Sequence, residues 1–181
     1  MIHFRFQPRK AQDAICWMLS QQDGLDFHTI LKTAYFADKH LLNAHGRPVF
    51  GARYKAMNYG PVPVEIYEML KEEPYWLSEL RQEEYPWERA GSYHVRLRAP
   101  VRNAPPRHLS ALDMQALEQA FEQCRNMDFD ERTRETHDFA WLRGIERAGG
   151  WMDYADMIGP EREGRAELIA ELEKLGPRIE L

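Results

Sequence analysis

The spacing of apolar residues predicts two helices near the N-terminus. The first begins at Pro8, which suits the first turn of a helix, and ends at Gly24. The second is capped by Asp26 and ends at Gly46 and Pro48. We expect the two helices to pack against each other as a hairpin. Their apolar stripes follow one helix face and consist of Ala11, Ala14, Ile15, Met18 and Leu19 in the first helix and of Phe27, Ile30, Leu31, Ala34 and Leu41 in the second.

Helical patterns return in the second half of the chain. Ser110 and Asp113 stand in capping-box spacing, so a helix is predicted to begin at Ala111. Further helices are predicted near residues 130–135 and from Thr136. The core-facing residues of the capped helix are predicted to be Leu117, Ala120, Phe121 and Cys124.

Two short stretches alternate between apolar and polar residues. They cover residues 48–57 and Tyr93–Arg98 and predict one small antiparallel β element. A short helix and a loop are expected over residues 74–91. The predicted fold class is therefore α+β, predominantly helical, with six to eight helices. We expect a single domain over residues 1–181, with a core signature at about 26–145 and a C-terminal helix from Pro160 to about residue 176.

A glycine and two prolines stand close together in the segment Asn58–Pro63. Proline fixes its own φ and restricts the residue before it, so a pre-shaped connection is predicted between a strand and a helix whose first turn contains Pro63. Two interpretations of the surrounding tyrosines stay open. Either they close the core with their hydroxyls on backbone groups, or Tyr59 recognises a partner. The three tyrosines are Tyr54, Tyr59 and Tyr67.

Composition narrows the class of protein. Apolar residues make up 44% and charged residues 29% of the 181 residues, as in ordinary globular domains. The chain has no apolar run long enough to cross a bilayer, and its first ten residues lack a secretory leader, so we expect a cytoplasmic protein without a membrane partner. The net charge of −5 disfavours non-specific nucleic-acid binding. Cys16 and Cys124 are expected to be core thiols.

One long stretch and two shorter ones resemble a known family. The stretch AYFADKHLLNAHGRPVFGARYKAMNYGPVPVEIYEML, residues Ala34–Leu70, is similar to the signature of the Panacea, or SocA-like antitoxin, domain family. The later stretches LSALDMQALEQAF and THDFAWLRG resemble the second half of that family. Residue by residue, the family pattern falls on Tyr35, Asp38, Gly46, Arg47, Pro48, Gly51, Tyr54, Ala56, Tyr59, Gly60, Pro61, Pro63, Tyr67, Thr136, His137 and Trp141.

The resemblance implies a binding module. Family members are typically antitoxins of bacterial and prophage toxin–antitoxin pairs, which neutralise a cognate toxin by direct protein contact; one type delivers its toxin to a protease. The resemblance therefore implies a toxin protein as partner and no catalysis, cofactor or metal. We expect partner contacts from Tyr59 and its neighbours Arg53, Lys55 and Tyr54. The remaining motif residues are expected to be structural, with Asp38 hydrogen-bonded into the glycine-rich corner.

An enzymatic alternative rests on one histidine–aspartate pair. Nucleotide-binding and hydrolase motifs such as the P-loop and G-x-S-x-G do not occur in the sequence. His137 and Asp138, joined by His108 and Asp153, would imitate a metal-dependent phosphohydrolase. His108 precedes a helix cap, so these side chains would not converge by helical spacing. A simpler interpretation is that Thr136 caps the following helix, with Asp138 in its first turn.

Overall fold

The computed structural model describes residues 1–99 and 106–181, which form nine α-helices, five short strands and two short 3-10 turns. The predicted α+β, predominantly helical class is confirmed, with more helices than the six to eight expected. None of the helices in these two ranges is long and apolar enough to cross a membrane. The helices are α1 (Pro8–Gln21), α2 (Phe27–His45), α3 (Val64–Leu70), α4 (Pro74–Leu80), α5 (Ala111–Arg125), α6 (Phe129–Thr136), α7 (Phe139–Glu146), α8 (Tyr154–Met157) and α9 (Arg165–Leu175). The strands are β1 (Leu25–Asp26), β2 (Tyr54–Met57), β3 (Gly60–Pro63), β4 (Trp87–Arg89) and β5 (His94–Leu97).

Local capping explains where the two longest helices begin. The Asp26 carboxylate accepts the N–H of Thr29 at 2.8 Å at the start of α2. At the start of α5, Ser110 and Asp113 form the predicted capping box, in which each side chain accepts the other residue's backbone N–H. Gly46 ends α2 in the left-handed conformation, with a φ of 72°. These three boundaries confirm the sequence predictions.

Helix α2 is the centre of the core. Most of its residues are buried, and it packs most extensively against α5, with further contacts to α3, α6, α8 and β3. Helix α1 packs mainly against α3, α4 and β5. The predicted α1–α2 hairpin is therefore wrong as a description of the main packing, because the apolar surface of α2 is covered by elements from the whole chain.

The β structure consists of two separate antiparallel sheets. Strands β2 and β3 form a hairpin whose register pairs Tyr54 with Pro63 and Met57 with Gly60. The order of the other sheet is β1–β5–β4. The single predicted β element is thus two sheets, and the predicted stiff loop is a turn followed by β3. Proline is tolerated in such an edge strand, and Pro63 stands just before α3 instead of inside its first turn.

Two boundaries in the second half differ from the predictions. Asp138 caps α7 by accepting the N–H of Trp141 at 3.1 Å, whereas Thr136 ends α6 and donates its hydroxyl to the carbonyl of Arg132. The last α-helix begins at Arg165, after a left-handed glycine, and not at Pro160. The two cysteines are free thiols, of which Cys124 is buried and Cys16 half-buried.

Candidate functional site

A groove of about 1050 Å³ opens beside the β2–β3 hairpin. We call it the hairpin groove. Helices α2, α3 and α6 and the start of β5 complete its walls. Its apolar and aromatic lining residues are Phe27, Leu31, Ala56, Met57, Tyr59, Val62, Tyr67, Tyr93 and Phe129.

The turn of the hairpin requires a glycine at one position. Asn58 and Tyr59 form the turn, and the positive φ of +95° falls on Gly60. A β-carbon on Gly60 would lie 2.5 Å from Oγ1 of Thr136 and 3.0 Å from Nζ of Lys32. Both the backbone conformation and the lack of space therefore exclude a larger residue without a shift of its neighbours.

Hydrogen bonds from neighbouring helices fix the backbone on both sides of this turn. Trp141 of α7 donates its indole N–H to the carbonyl of Met57 at 2.9 Å. Lys32 of α2 donates its ammonium to the carbonyl of Pro61 at 3.0 Å. The tip of the hairpin is therefore held by side chains of two helices, in addition to the hydrogen bonds between β2 and β3.

His28 adds a third tie, to the carbonyl of Tyr59. Its Nδ1 accepts from the guanidinium of Arg132 at 3.3 Å, so the ring proton lies on Nε2, which donates to the Tyr59 carbonyl at 3.3 Å. Burial, together with the charge of Lys32, lowers the pKa of His28 to about 4. The ring is therefore neutral at physiological pH and keeps this role.

Tyr59 combines a fixed backbone with an exposed ring. Its ring is packed edge to face on Phe129 at 5.3 Å between centroids, yet the residue is 62% exposed. Phe129 in turn stacks on His28 at 4.2 Å. The structure thus places Tyr59 at the rim of the hairpin groove with one face of its ring supported.

The other residues predicted to contact a partner have different surroundings. Lys55 lines the hairpin groove, and its ammonium lies 5.7 Å from the ring centre of Trp151. Arg53 is outside the groove, is exposed and pairs with Glu65 at 2.6 Å. Tyr54 is only 2% exposed, so its prediction as a contact residue is corrected. It belongs to the core because alternate residues of β2 face inward.

Asp38 organises the core beneath the hairpin. Its Oδ1 accepts the N–H groups of Val49 and Phe50, each at 2.8 Å, which is the predicted hydrogen bonding into the glycine-rich corner. Its Oδ2 lies 3.1 Å from the hydroxyls of Tyr54 and Tyr154. Burial raises the pKa of Asp38 to about 6 in spite of these hydrogen bonds. Asp38 therefore joins α2 to the following corner.

Asp138 joins α2 to α7. In addition to capping α7, its carboxylate accepts the hydroxyl of Tyr35 at 2.7 Å and the ammonium of Lys39 at 2.5 Å. His137 stacks face to face on Trp141 at 3.7 Å between ring centres. Burial and the charge of Lys32 lower the pKa of His137. Both side chains of the His–Asp pair thus have structural contacts.

The side chains of the hydrolase hypothesis do not assemble into one site. His108 pairs with Asp13 at 3.0 Å, and Asp153 accepts the N–H of Ile2. Within residues 1–99 and 106–181, no three His, Cys, Asp or Glu side chains form a group that could hold a metal ion. The arrangement therefore gives the hydrolase hypothesis no geometric support.

Two of the three sequence stretches that resemble the antitoxin family meet in space, the long stretch Ala34–Leu70 and the later stretch THDFAWLRG. Gly60 lies against Thr136, Met57 accepts from Trp141, and Tyr35 donates to Asp138. The family model described as "Antitoxin SocA-like, Panacea domain" matches residues 30–142. The chain belongs to this family. No curated protein and no solved structure matches the chain. The matched Panacea region contains both sides of these contacts, and it includes the hairpin, most of α2, and all of α5 and α6.

Several side chains of the hairpin groove were not predicted from the sequence. Lys32 and Arg132 are buried at its floor, and Phe129 and Tyr93 form its outer wall. A signal existed for Lys32, because it lies one turn after His28 beside the apolar stripe of α2. Phe129 begins a helix far along the chain, and no local pattern connects it with Tyr59.

A second exposed apolar surface lies on α7. The inner face of this helix contains Ala140 and Gly144, which are buried. A β-carbon on Gly144 would lie 2.9 Å from the β-carbon of Ala56, so α7 approaches β2 closely. The outer face exposes Phe139, Leu142 and Ile145, each at least half exposed. None of these three exposed residues is among the described residues that line the hairpin groove, so the two surfaces are distinct.

Proposed function

We propose that this protein is the antitoxin of a bacterial or prophage toxin–antitoxin pair and that it binds its cognate toxin directly in the cytoplasm. Membership of the SocA-like Panacea family supports an antitoxin-like protein with a protein partner. The observation that carries the proposal is the exposed ring of Tyr59 on a fixed turn beside the hairpin groove. Blocking of the toxin and delivery of the toxin to a protease both begin with this contact.

Tyr59 has the properties of a pre-organised binding anchor. Its backbone is held by His28 and by the neighbouring bonds to Met57 and Pro61. Its ring is supported by Phe129 and remains accessible. Such a side chain loses little conformational entropy on binding, and tyrosines are enriched among the residues that dominate interface energies.

The surface around Tyr59 combines the two parts of a typical protein–protein interface, an apolar centre and a charged rim. Silencing a toxin in the cell takes a dissociation constant near nanomolar, about −12 kcal/mol, and such complexes ordinarily bury roughly 1,200–2,000 Å². The hairpin groove supplies a concave apolar centre, and Lys55 lies in its wall. Arg53, exposed immediately before the start of β2, supplies a charged rim.

Co-expression with the toxin tests the proposal with a matched pair of variants. The neighbouring open reading frame that kills cells when expressed alone is taken as the toxin. Tyr59→Ala is compared with Tyr75→Ala, because Tyr75 is 63% exposed and lies on α4 outside the groove. We expect Tyr59→Ala to abolish or weaken rescue and Tyr75→Ala to preserve it, with both variants melting close to the wild type.

Three results would contradict parts of the proposal. Rescue that persists at a large molar excess of toxin and is lost in His137→Ala would mean catalysis instead of stoichiometric binding. Rescue that survives Tyr59→Ala but is lost in Leu142→Glu would move the interface from the groove to α7. A purified toxin that forms no complex with the chain in size-exclusion chromatography would overturn direct binding.

A further inference from the structure

The hairpin groove is basic although the protein is acidic. The chain carries a formal net charge of −5. The groove, in contrast, is lined by three basic side chains, Lys32, Lys55 and Arg132, and by one acidic side chain, Asp26. Because unlike potentials favour association across an interface, a groove of this sign selects partner segments of negative charge.

Lys32 is a buried amine beside which residues 1–99 and 106–181 place no carboxylate. It is 1% exposed, and the one hydrogen bond of its ammonium within the described residues goes to the carbonyl of Pro61. An ammonium has three donors. Among residues 1–99 and 106–181, no carboxylate lies within 4.0 Å of Nζ. A buried charge of this kind is costly unless a partner pairs with it.

The acidic residue of the groove is already engaged elsewhere. Asp26 accepts the N–H and the hydroxyl of Thr29, at 2.8 and 2.6 Å, while it caps α2. Its remaining ion-pair neighbour is Arg132, at 3.9 Å. Arg132 itself donates to the carbonyls of Cys124 and Met127. The charge of Asp26 is therefore used at the helix cap and does not neutralise Lys32.

We propose, as an extension of the antitoxin function above, that the hairpin groove binds an acidic segment of the partner protein. In this segment an Asp or Glu carboxylate is directed toward the ammonium of Lys32, at the floor, and supplies the counter-charge that the described part of the chain does not provide. Flanking apolar or aromatic side chains of the segment pack on Tyr59, Tyr67 and Phe129. The carboxylate gives selectivity, since a groove with an unpaired cation at its floor disfavours a neutral segment.

Selection from a library of short random peptides tests the inference without the toxin. Phage-displayed peptides are selected on the purified wild-type chain, and a recovered peptide is synthesised with a fluorophore. We expect recovered peptides to carry Asp or Glu beside Phe, Tyr, Trp or Leu. Replacing that acid by its amide should weaken binding about tenfold to a hundredfold, the loss expected for a charge-assisted hydrogen bond.

Variants of the chain then locate the carboxylate. Lys32→Met should bind the acidic peptide and its amide counterpart about equally, because the coupling between the two charges is gone. Tyr59→Ala should weaken both peptides, and Lys55→Gln should weaken the acidic one. Lys174→Gln, which removes one charge from an exposed position on α9 outside the groove, should leave both affinities unchanged.

Several results would overturn the inference. These are a selection that yields no peptide dependent on Tyr59, recovered peptides without acidic residues, and a Lys32→Met variant that still prefers the acid over the amide as the wild type does. Displacement of the peptide by a single-stranded RNA of comparable affinity would assign the groove to nucleic acid instead. If Lys32→Met loses the acid preference but still rescues cells from the toxin as the wild type does, this inference alone is refuted. Failed rescue and failed complex formation by the wild type would refute the antitoxin function whatever the peptides show.

Discussion

Gly60 and Lys32 touch at the floor of the hairpin groove, although 28 positions separate them in the sequence. A β-carbon on Gly60 would lie 3.0 Å from Nζ and 3.2 Å from Cε of Lys32. The same lysine donates to the carbonyl of Pro61, the next residue of β3. The shape of the turn and the position of the buried charge therefore depend on each other.

This contact predicts unequal effects of two neighbouring substitutions. Gly60→Val places a β-branched residue at a φ of +95°, against Thr136 and Lys32, and should cost more than the roughly 1–3 kcal/mol of backbone strain alone. Pro61→Ala mainly returns freedom to the unfolded chain, about 0.4–1 kcal/mol. For a chain of this size we expect the melting temperature to fall by about 2–4 °C per kcal/mol. Equal and negligible shifts in thermal unfolding would show that the turn is not specified by Gly60.

Replacing Lys32 by a neutral residue should increase the free energy of unfolding, by an amount that depends on pH. Burial lowers the pKa of Lys32 from 10.5 to about 7. Between these values the unfolded chain binds more protons than the folded chain, so wild-type stability rises as the pH increases from about 7 toward 10.5. The cost of the buried charge is fully present below pH 7.

Lys32→Met should therefore be more stable than the wild type at pH 6, by about 1–4 kcal/mol after loss of the bond to Pro61. The difference should shrink, or change sign, toward pH 10. Urea unfolding at both pH values measures this difference in unfolding free energy. As a control, Lys174→Met should differ from the wild type by the same amount at both pH values. A constant difference across this range would mean that Lys32 is not a buried charge.

The parts of this structure that the sequence predicted are those decided locally. The caps formed by Asp26 and by Ser110 with Asp113 involve residues three positions apart, so their patterns are visible in the chain. The local sequence predicted a loop at Pro61, and this prediction was wrong. Pro61 lies in an edge strand because it pairs with β2. The groove could not be predicted, because Tyr59 and Phe129 meet only after α6 has packed on α2.

Removing the carboxylate of Asp38 should cost much more stability than replacing it with a neutral amide. Asp38→Ala leaves the buried N–H groups of Val49 and Phe50 without an acceptor, at about 1–3 kcal/mol each. In Asp38→Asn the amide oxygen keeps both bonds. Its NH₂ group donates to the hydroxyls of Tyr54 and Tyr154, whose own protons turn to backbone carbonyls at 3.3 and 2.7 Å. We expect Asp38→Asn to cost less than about 1.5 kcal/mol.

The stability of Asp38→Asn relative to the wild type should also depend on pH. Burial raises the pKa of Asp38 from 3.8 to about 6, so between these values the folded chain binds more protons and wild-type stability falls as the pH rises. The stability of Asp38→Asn does not fall with pH in this way. Relative to the wild type, Asp38→Asn should therefore be more stable at pH 7 than at pH 4. Denaturant unfolding at both pH values tests this. An Asn variant as unstable as the Ala variant would contradict the proposed hydrogen-bond arrangement.

Substitutions of Asp138 and His137 should affect toxin rescue differently if these residues are structural than if they are catalytic. Asp138→Ala removes the cap of α7 and the acceptor of Tyr35 and Lys39, which together should cost about 2–4 kcal/mol. His137→Ala removes one stacked ring pair with Trp141, worth about 0.5–1.5 kcal/mol. Toxin rescue by Asp138→Ala should therefore fail at the temperature where the variant unfolds and return on cooling below it, as followed by circular dichroism and cell survival. His137→Ala should rescue at both temperatures. If both variants stay folded, neither rescues at any temperature, and the wild type rescues at a large molar excess of toxin, the His–Asp pair takes part in chemistry and the binding role proposed for this protein is wrong.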